Sequence, residues 1–253
     1  MNRAVKSLVR RVLPSDIRPH RILSGPLQGH WIITSWRDYP AAITGRTERP
    51  LLCWFSANVE PGETWLDIGA HYGYTAIALG HLVGAAGRVF AFEPMLSTAG
   101  HLSLTKRMND LPQLTVVPMG LAASPDLAVK VLPATRGMVD STLQDGRAVE
   151  TILVARLDWL WPQICGDQRQ IDGIKIDVQG MEIEVLRGMT CLLSEWRPRL
   201  VVEFHAGVDR SELLDLIAGA GYCRQATTLE PIAGEAEPLY VDDRSYAFEA
   251  SAL

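Results

Sequence analysis

The sequence has no apolar run of 18 residues, few cysteines and no surplus of basic residues. Without a long apolar run, no segment is predicted to cross a membrane as a helix. The 4 cysteines in 253 residues stand far apart and form no CxxC pair, which disfavours a disulfide framework and a zinc site. With 24 Lys and Arg against 29 Asp and Glu, the net charge of −5 disfavours nucleic acid as a partner. We therefore predict a cytoplasmic protein with reduced thiols and no nucleic-acid partner.

The N-terminal quarter has a less regular pattern of apolar residues than the rest of the chain. Residues 1–62 mix short apolar pieces with Gly and Pro, and Pro61-Gly62 interrupts the chain before a regular pattern begins. Met1 to Leu13 places apolar residues at helical spacing with basic residues between them, which predicts a leader helix covering part of the domain. A basic amphipathic helix also suits an anionic membrane surface or a partner protein. We predict a leader helix and cap over 1–62, with a helix from Leu51 to Val59, and one main domain over 63–253.

From residue 63 onwards, short apolar strands alternate with helices. Strands are predicted at 64–68, 88–92, 114–117, 171–178 and 200–204, and helices at 74–82, 96–108, 181–194 and 211–220. A more irregular stretch between the third strand and residue 171 contains strand-like pieces at 127–132 and 151–155, and further pieces near 222–226 and 245–249 end the chain. Apolar strands that are each followed by a helix indicate a doubly wound α/β fold with a mostly parallel sheet. Such sheets bind ligands at the carboxyl ends of their strands.

The most specific local pattern is the segment from Trp65 to Gly73, with the sequence WLDIGAHYG. An apolar strand ends at Asp67, and Gly69 and Gly73 frame a turn that opens a helix. A glycine turn lets a ligand approach the backbone, and the free N–H groups of the helix N-terminus suit a carboxylate. An amino-acid-bearing nucleoside offers a carboxylate to those groups and an ammonium to Asp67. The spacing is not G-x-G-x-x-G, so a dinucleotide fits less well, and a purely structural glycine turn is the alternative.

A second acid stands one strand later. Glu93 follows the predicted strand 88–92, 26 residues after Asp67, and Pro94 redirects the chain behind it. Doubly wound folds place an acid at this point to accept hydrogen bonds from a ribose diol. Together the two motifs predict a nucleoside-binding crevice.

These motifs resemble those of the FkbM-type methyltransferases, which depend on S-adenosylmethionine. The resemblance rests on Asp67 to Gly73, Glu93-Pro94, Leu157-Asp158, Lys175 to Glu182, and Glu203. His71 and Gln179 depart from the pattern, since Asn and Glu are frequent at these positions. The resemblance implies a seven-stranded Rossmann-like methyltransferase sheet with a small N-terminal cap. It also implies methyl transfer from S-adenosylmethionine, commonly to a hydroxyl group of a natural product or sugar.

The resemblance further implies which residues bind the cofactor. The first motif and the start of its helix would hold the methionine part, the second motif the ribose, and the turn after the third strand the adenine. In that order the residues are Asp67, Gly69, Ala70, His71, Tyr72, Gly73 and Thr75, then Glu93 and Pro94, then Gly120 and Leu121.

Methyl transfer to a hydroxyl group also needs a proton acceptor. Asp177 is the leading candidate because it follows a buried strand at the mouth of the crevice, with Lys175 as an ion-pair partner. The alternative is that Asp177 only positions the cofactor or pairs with Lys175. His205 is the second candidate, since the ordinary pKa of histidine suits a base near neutral pH. Lys175, Gln179 and Glu203 are predicted to line the acceptor pocket.

Several alternatives remain open at this level. Asp177, Glu203 and Asp158 are suitable ligands for a divalent cation, but nothing in their spacing requires one, and no metal is predicted. The acceptor is predicted to be a small molecule or glycan, with a nitrogen, carbon or carboxylate acceptor, including a peptide, as the alternative. A nicotinamide-dependent oxidoreductase and a binding protein with a degenerate site fit the motifs less well.

Overall fold

The computed structural model describes residues 12–123, 125–141, 149–167, 170–231 and 237–251. The predicted leader helix lies outside these residues except for its last two positions. The cap begins with an antiparallel pair of strands, β1 (Arg18–Arg21) and β2 (Trp31–Thr34). Two helices follow, α1 (Pro40–Thr44) and α2 (Arg49–Asn58), of which the second corresponds to the helix predicted from Leu51.

A seven-stranded sheet forms the centre of the molecule. In chain order its strands are β3 (Thr64–Ile68), β4 (Arg88–Phe92), β5 (Leu114–Val117), β10 (Gly173–Ile176), β11 (Arg199–Phe204), β12 (Thr227–Thr228) and β13 (Arg244–Phe248). Their spatial order is β12-β13-β11-β10-β3-β4-β5. The strands from β11 to β5 are parallel, and β13 pairs antiparallel with both β11 and β12. The predicted doubly wound, mostly parallel seven-stranded sheet is thus confirmed.

The strand predicted near residue 222 is displaced. Tyr222 makes only an isolated bridge to Ala250, and the pairing strand is β12 at 227–228. The hydroxyl group of Tyr222 donates instead to the Pro198 carbonyl oxygen at 2.7 Å. This buried hydrogen bond fixes Tyr222 through its side chain, a contact that strand periodicity does not indicate.

Helices cover both faces of the sheet. In chain order they are α3 (Tyr74–Val83), α4 (Leu96–Met108), α5 (Leu157–Ile164), α6 (Glu182–Arg187), α7 (Thr190–Trp196) and α8 (Arg210–Gly219). Leu66 and Ile68 on β3 point into the apolar layer beneath α5–α8, whereas Trp65 points into the layer that contains α2 and α3. The cap strand β2 belongs to this second layer, because Ile33 N donates to Thr105 Oγ1 of α4 at 3.0 Å. The cap and the sheet therefore share one core, and the domain boundary at residue 62 stays a prediction.

The stretch between β5 and β10 is more regular than predicted. It forms a four-stranded sheet of β6 (Gly120–Leu121), β7 (Leu127–Thr135), β8 (Met138–Val139) and β9 (Val149–Ala155), in the order β6-β9-β7-β8. Ile152 and Val154 of β9 are buried on one face of this sheet, which we call the side sheet. The side sheet covers one end of the central sheet and supplies an apolar wall.

The helix predicted over 181–194 is wrong in one respect, because two helices occupy this range. The first helix ends at Arg187, and an added Cβ on the following Gly188 would lie 2.2 Å from the Ala122 carbonyl oxygen. The Asp158 carboxylate then accepts hydrogen bonds from Cys191 N at 3.1 Å and Leu192 N at 3.0 Å, in the first turn of α7. A carboxylate that satisfies free N–H groups starts a new helix.

The Asp158→Ala variant is therefore expected to lower the free energy of unfolding by about 1 kcal/mol, a typical value for loss of a helix cap. Urea denaturation followed by circular dichroism measures the loss. Glu195→Ala, at an exposed position of the same helix, is the control and should change stability by less than about 0.5 kcal/mol. Equal losses in the two variants would contradict the capping role.

Candidate active site

A cavity opens at the carboxyl ends of the parallel strands. The chain runs from β3 outwards to β4 and β5, and later returns on the other side of β3 to β10 and β11, so the reversal point lies between β3 and β10. Doubly wound sheets form their ligand crevice at this point. The segments after β3, β4, β5 and β10 and the end of β11 all contribute to the wall, together with the cap and the side sheet.

The turn after β3 is held close to the neighbouring strands. Gly69 N and Ala70 N donate to the Phe92 carbonyl oxygen at 3.0 and 2.9 Å. Gly69 has φ +83°, and an added Cβ would lie 1.7 Å from the Asp177 carbonyl oxygen. Only glycine fits this left-handed, tightly enclosed position, so the turn brings the ends of β3, β4 and β10 together.

Glu93 lies buried at the end of β4, next to this turn. Its carboxylate accepts hydrogen bonds from His71 N at 3.0 Å and Met95 N at 2.9 Å. Burial raises the pKa of Glu93 to about 8, although these two hydrogen bonds and the charge of Lys175 act in the opposite direction. The carboxylate is therefore fixed at the cavity wall, and each oxygen keeps a lone pair for a further donor.

Asp67 lies below the cavity, in contact with other side chains of the protein. Thr75 Oγ1 donates to its Oδ2 at 2.6 Å, and Lys175 Nζ lies 3.3 Å from its Oδ1. The register of β3 and β10 places Asp67 and Lys175 side by side on the same face. Both side chains are almost fully buried, with exposed fractions of 0% and 3%, so the ammonium group that Asp67 meets here belongs to the protein.

Lys175 joins Asp67 to a second carboxylate at the cavity wall. Its Nζ lies 3.3 Å from Asp177 Oδ2. Burial alone would lower the pKa of Lys175, but Asp67 and Asp177 hold it above its ordinary value. Burial likewise tends to raise the pKa of Asp177, yet the charges of Lys175 and His205 lower it overall. Asp177 is thus an ionised carboxylate facing the cavity at neutral pH.

His205 lies behind Asp177, surrounded by acids. Its Nδ1 is 2.7 Å from Glu182 Oε1, and its Nε2 is 3.4 Å from Asp177 Oδ1 and 3.5 Å from Glu203 Oε1. Gln179 Nε2 lies 2.7 Å from the same Nε2. Burial lowers the pKa of His205, but the contacts with Glu182, Glu203 and Asp177 outweigh burial and raise it to about 11. The ring is held in one orientation by α6 on one side and by the strand ends on the other.

The cap contributes residues that the sequence did not indicate. Tyr39, Thr47 and Glu48 line the cavity, and burial together with the charges of Glu203 and Asp177 raises the pKa of Glu48 to about 8. A polar groove shares Thr47, Glu48 and Glu203 with the cavity and continues past Glu230. No local motif marks Glu48; its position depends on the packing of the cap against the sheet.

Most of the predicted site residues reach the cavity wall. These are Gly69, Ala70, His71, Thr75, Glu93, Pro94, Gly120, Leu121, Lys175, Asp177, Gln179 and Glu203. Asp67, Gly73 and His205 lie outside the lining. Tyr72 does as well, because its hydroxyl group donates to Asp38 Oδ2 at 3.2 Å. Asp158 lies away from Asp177 and Glu203, since its carboxylate caps α7. The apolar lining includes Met119, Val139, Ile152 and Val154.

Within the part of the chain that the structure describes, no helix has both the length and the apolar character needed to cross a bilayer. The cytoplasmic location stays a prediction.

Known proteins resemble this chain in sequence and in fold. The hexuronic acid methyltransferase AglP of Haloferax volcanii is 28% identical over 188 residues, which cover 73% of each chain. The crystal structure of methyltransferase FkbM from Methylobacillus flagellatus KT superposes with a TM-score of 0.50 at 19% identity, covering 83% of this chain and 52% of that one. Aeropyrum pernix fibrillarin, crystallised with natively bound S-adenosyl-L-methionine, gives a TM-score of 0.51 at 14% identity, covering 92% of this chain and 82% of that one. At these identities the two structures establish a shared Rossmann-like fold.

The sequence match to a family extends through all parts of the chain that build the cavity except the cap. Residues 67–223 match the methyltransferase FkbM domain, from the acid of the first motif to the residue after α8 and its turn. The match covers more than half of the chain and includes Glu93, Lys175, Asp177 and Glu203. The match excludes the oxidoreductase alternative. The chain belongs to the FkbM family of methyltransferases.

Proposed function

We propose that this protein uses S-adenosylmethionine to methylate a hydroxyl group of a sugar or similar small molecule. The observation that carries the proposal is the placement of two acids, Glu93 and Asp177, on opposite sides of one cavity. Glu93 stands at the end of β4 and Asp177 at the end of β10, with β3 between them. Two strand spacings separate them by about 10 Å, so a bound nucleoside can reach from one to the other.

The cavity wall suggests how the cofactor lies. The ribose diol would donate to Glu93, and the adenine would lie against Gly120 and Leu121 in the apolar part of the wall. The methionine carboxylate would lie beyond the turn after β3, at the N-terminus of α3, where Tyr74 and Thr75 line the cavity and the first N–H groups have no partner within the helix. Asp67 is proposed to act indirectly, by fixing Thr75 and Lys175 beneath this turn.

The acidic part of the cavity supports a hydroxyl acceptor over a carboxylate. Glu48, Asp177 and Glu203 face this part of the cavity, and the ionised Asp177 among them opposes binding of an anionic reacting group. A hydroxyl group can donate to these carboxylates. The relative AglP acts on a hexuronic acid, which supports a sugar acceptor, and the polar groove past Glu230 provides room for a larger glycan.

The proposed step needs one proton acceptor. The hydroxyl oxygen attacks the methyl carbon, the carbon–sulfur bond breaks to leave S-adenosylhomocysteine, and the hydroxyl proton passes to Asp177. We assign this role to Asp177 because it lines the cavity, whereas His205 lies behind it. His205 is then a positioning residue that holds Asp177 and Glu203. Alignment of oxygen, methyl and sulfur supplies much of the rate, since the sulfonium is already a strong electrophile.

Calorimetric titration tests the cofactor directly. We expect S-adenosylmethionine and S-adenosylhomocysteine to bind and NAD not to bind. Because Glu93 has a pKa near 8 and the ribose diol favours its ionised form, affinity for S-adenosylhomocysteine should rise with pH up to about 8 and then level off. Binding at pH 7 should release protons, measurable in buffers with different ionisation enthalpies.

The Glu93→Gln variant separates this effect from ionisation of the ligand's own amino group. It should bind S-adenosylhomocysteine more weakly by about 1.5–3 kcal/mol and lose the protein's share of the proton release. Unchanged affinity and unchanged proton release in this variant would refute the placement of the ribose. Transfer of a labelled methyl group to neutral hexosides, but not to N-acetylated or free peptides, then tests the acceptor class.

A further inference from the structure

Three potential metal ligands meet at the inner edge of the acceptor end of the cavity. They are an oxygen of Asp177, an oxygen of Glu203 and Nε2 of His205, and all three atoms lie within 4.8 Å of one another. They come from the ends of the adjacent parallel strands β10 and β11. One imidazole with two carboxylates is a donor set suited to Mn²⁺ or Zn²⁺.

The distances fit a common central ion. Nε2 of His205 lies 3.4 Å from Asp177 Oδ1 and 3.5 Å from Glu203 Oε1. Two atoms that are each about 2.1 Å from a tetrahedral ion are about 3.4 Å apart. Both imidazole–carboxylate distances therefore match ligand spacing, and the two carboxylate oxygens lie within 4.8 Å of each other.

The imidazole is oriented as metal-binding imidazoles are. Its Nδ1 contacts Glu182 Oε1 at 2.7 Å, and the Glu182 side chain is fully buried. A histidine that donates its other N–H to a carboxylate presents Nε2 in a fixed direction and with increased basicity. In this site that direction points between Asp177 and Glu203.

The charge around this point also favours a cation. Carboxylates outnumber basic groups in the cluster, which comprises Glu48, Asp67, Asp177, Glu182 and Glu203 with Lys175 and His205. Lys175 pairs with Asp67 and Asp177, whereas the basic group in contact with Glu203 is His205, whose Nε2 lies 3.5 Å from Glu203 Oε1. Buried carboxylates are costly unless they are paired or bind a metal, and a divalent ion at this point would replace the proton on Nε2 of His205 and leave the cluster with more positive charge than that proton provides.

We propose that Asp177, Glu203 and His205 bind one divalent ion of the Mn²⁺ or Zn²⁺ class. Gln179 is the natural fourth ligand, because its amide lies 2.7 Å from His205 Nε2 and 3.2 Å from Asp177 Oδ1. Rotating the Gln179 amide by about 180° places its Oε1 where Nε2 now lies. The sequence had suggested Asp158 as the third group, and the structure replaces it with His205. The ion's role, which is to bind and acidify the acceptor hydroxyl, rests on the proposed O-methyl transfer; ion binding itself does not.

The experiment uses the metal alone, on the full-length chain stripped with a chelator. Titration with Zn²⁺ by calorimetry and with Mn²⁺ by electron paramagnetic resonance should give one bound ion per chain. Asp177→Asn and Glu203→Gln keep the shape of the site and should each weaken binding at least 10-fold. Glu182→Gln removes the charge that orients His205 and should weaken binding by roughly 10- to 100-fold, as is typical of outer-shell partners.

Glu230→Gln is the matched control, since this carboxylate lies in the adjoining groove, paired with Arg244 at 3.1 Å. It should leave the metal affinity unchanged, and thermal melts by circular dichroism verify that all variants are folded. No saturable binding of either ion to the wild-type chain would overturn the proposal. So would equal affinities in the wild type, Asp177→Asn and Glu203→Gln. Neither result affects the titration with S-adenosylhomocysteine, so a failed cofactor assignment and a failed metal site are distinguishable.

Discussion

The Gly69→Ala variant is expected to lose about 2–6 kcal/mol of unfolding free energy. Two separate costs add at this position. Alanine is strained at φ +83°, which costs on the order of 1–3 kcal/mol. Its Cβ would also lie 1.7 Å from the Asp177 carbonyl oxygen, and such overpacking against backbone costs about 1–3 kcal/mol. Relief of the clash has to push β3 away from the end of β10, so binding of S-adenosylhomocysteine should be lost as well.

Gly62→Ala separates the two costs in Gly69→Ala. Gly62 also has positive φ, at +93°, but no heavy atom lies within 4 Å of an added Cβ. This variant should lose about 1–2 kcal/mol and keep its ligand affinity. Urea denaturation and calorimetric titration measure both quantities. Similar stability in the two variants would mean that the approach of Asp177 to the turn is not as close as the structure indicates.

The second large effect is expected for Lys175→Met. Methionine nearly preserves the volume of lysine but leaves Asp67 and Asp177 without the ammonium group that lies 3.3 Å from each. Removal of one partner from a buried ion pair typically costs about 3–5 kcal/mol, because an uncompensated charge remains in the interior. The free energy of unfolding at pH 7, from urea denaturation, measures the loss.

Two further variants make the Lys175 result specific. Lys130→Met removes a partly exposed lysine 3.9 Å from Glu184, and exposed pairs of this kind contribute only about 0–1 kcal/mol. Adding Asp67→Asn to Lys175→Met should recover part of the loss, since one unpaired buried carboxylate is then removed. A Lys175→Met variant as stable as Lys130→Met would argue against a structural ion pair at the floor of the cavity.

The sequence was informative wherever the relevant pattern is local. Apolar strands followed by helices predicted a parallel sheet, and an acid or a glycine directly after a strand is placed by that sheet at one edge. Asp177, Glu93 and Gly69 were predictable for this reason, because the carboxyl ends of parallel strands meet at the reversal of strand order. The alternation of side chains along β10 also predicted that Lys175 and Asp177 share a side, as their 3.3 Å contact confirms.

Contacts between distant segments were decided by the tertiary structure alone. The helix predicted from 181 to 194 is split because Asp158, more than 30 residues earlier, satisfies the first turn of α7. Glu182 reads in the sequence as a favourable acid at a helix N-terminus, but in the fold its buried carboxylate orients His205. Glu48 reaches the cavity only because the cap packs on the sheet. Periodicity encodes which way a side chain points within its own element, whereas the partner it meets depends on how separate elements pack, and no local pattern contains that information.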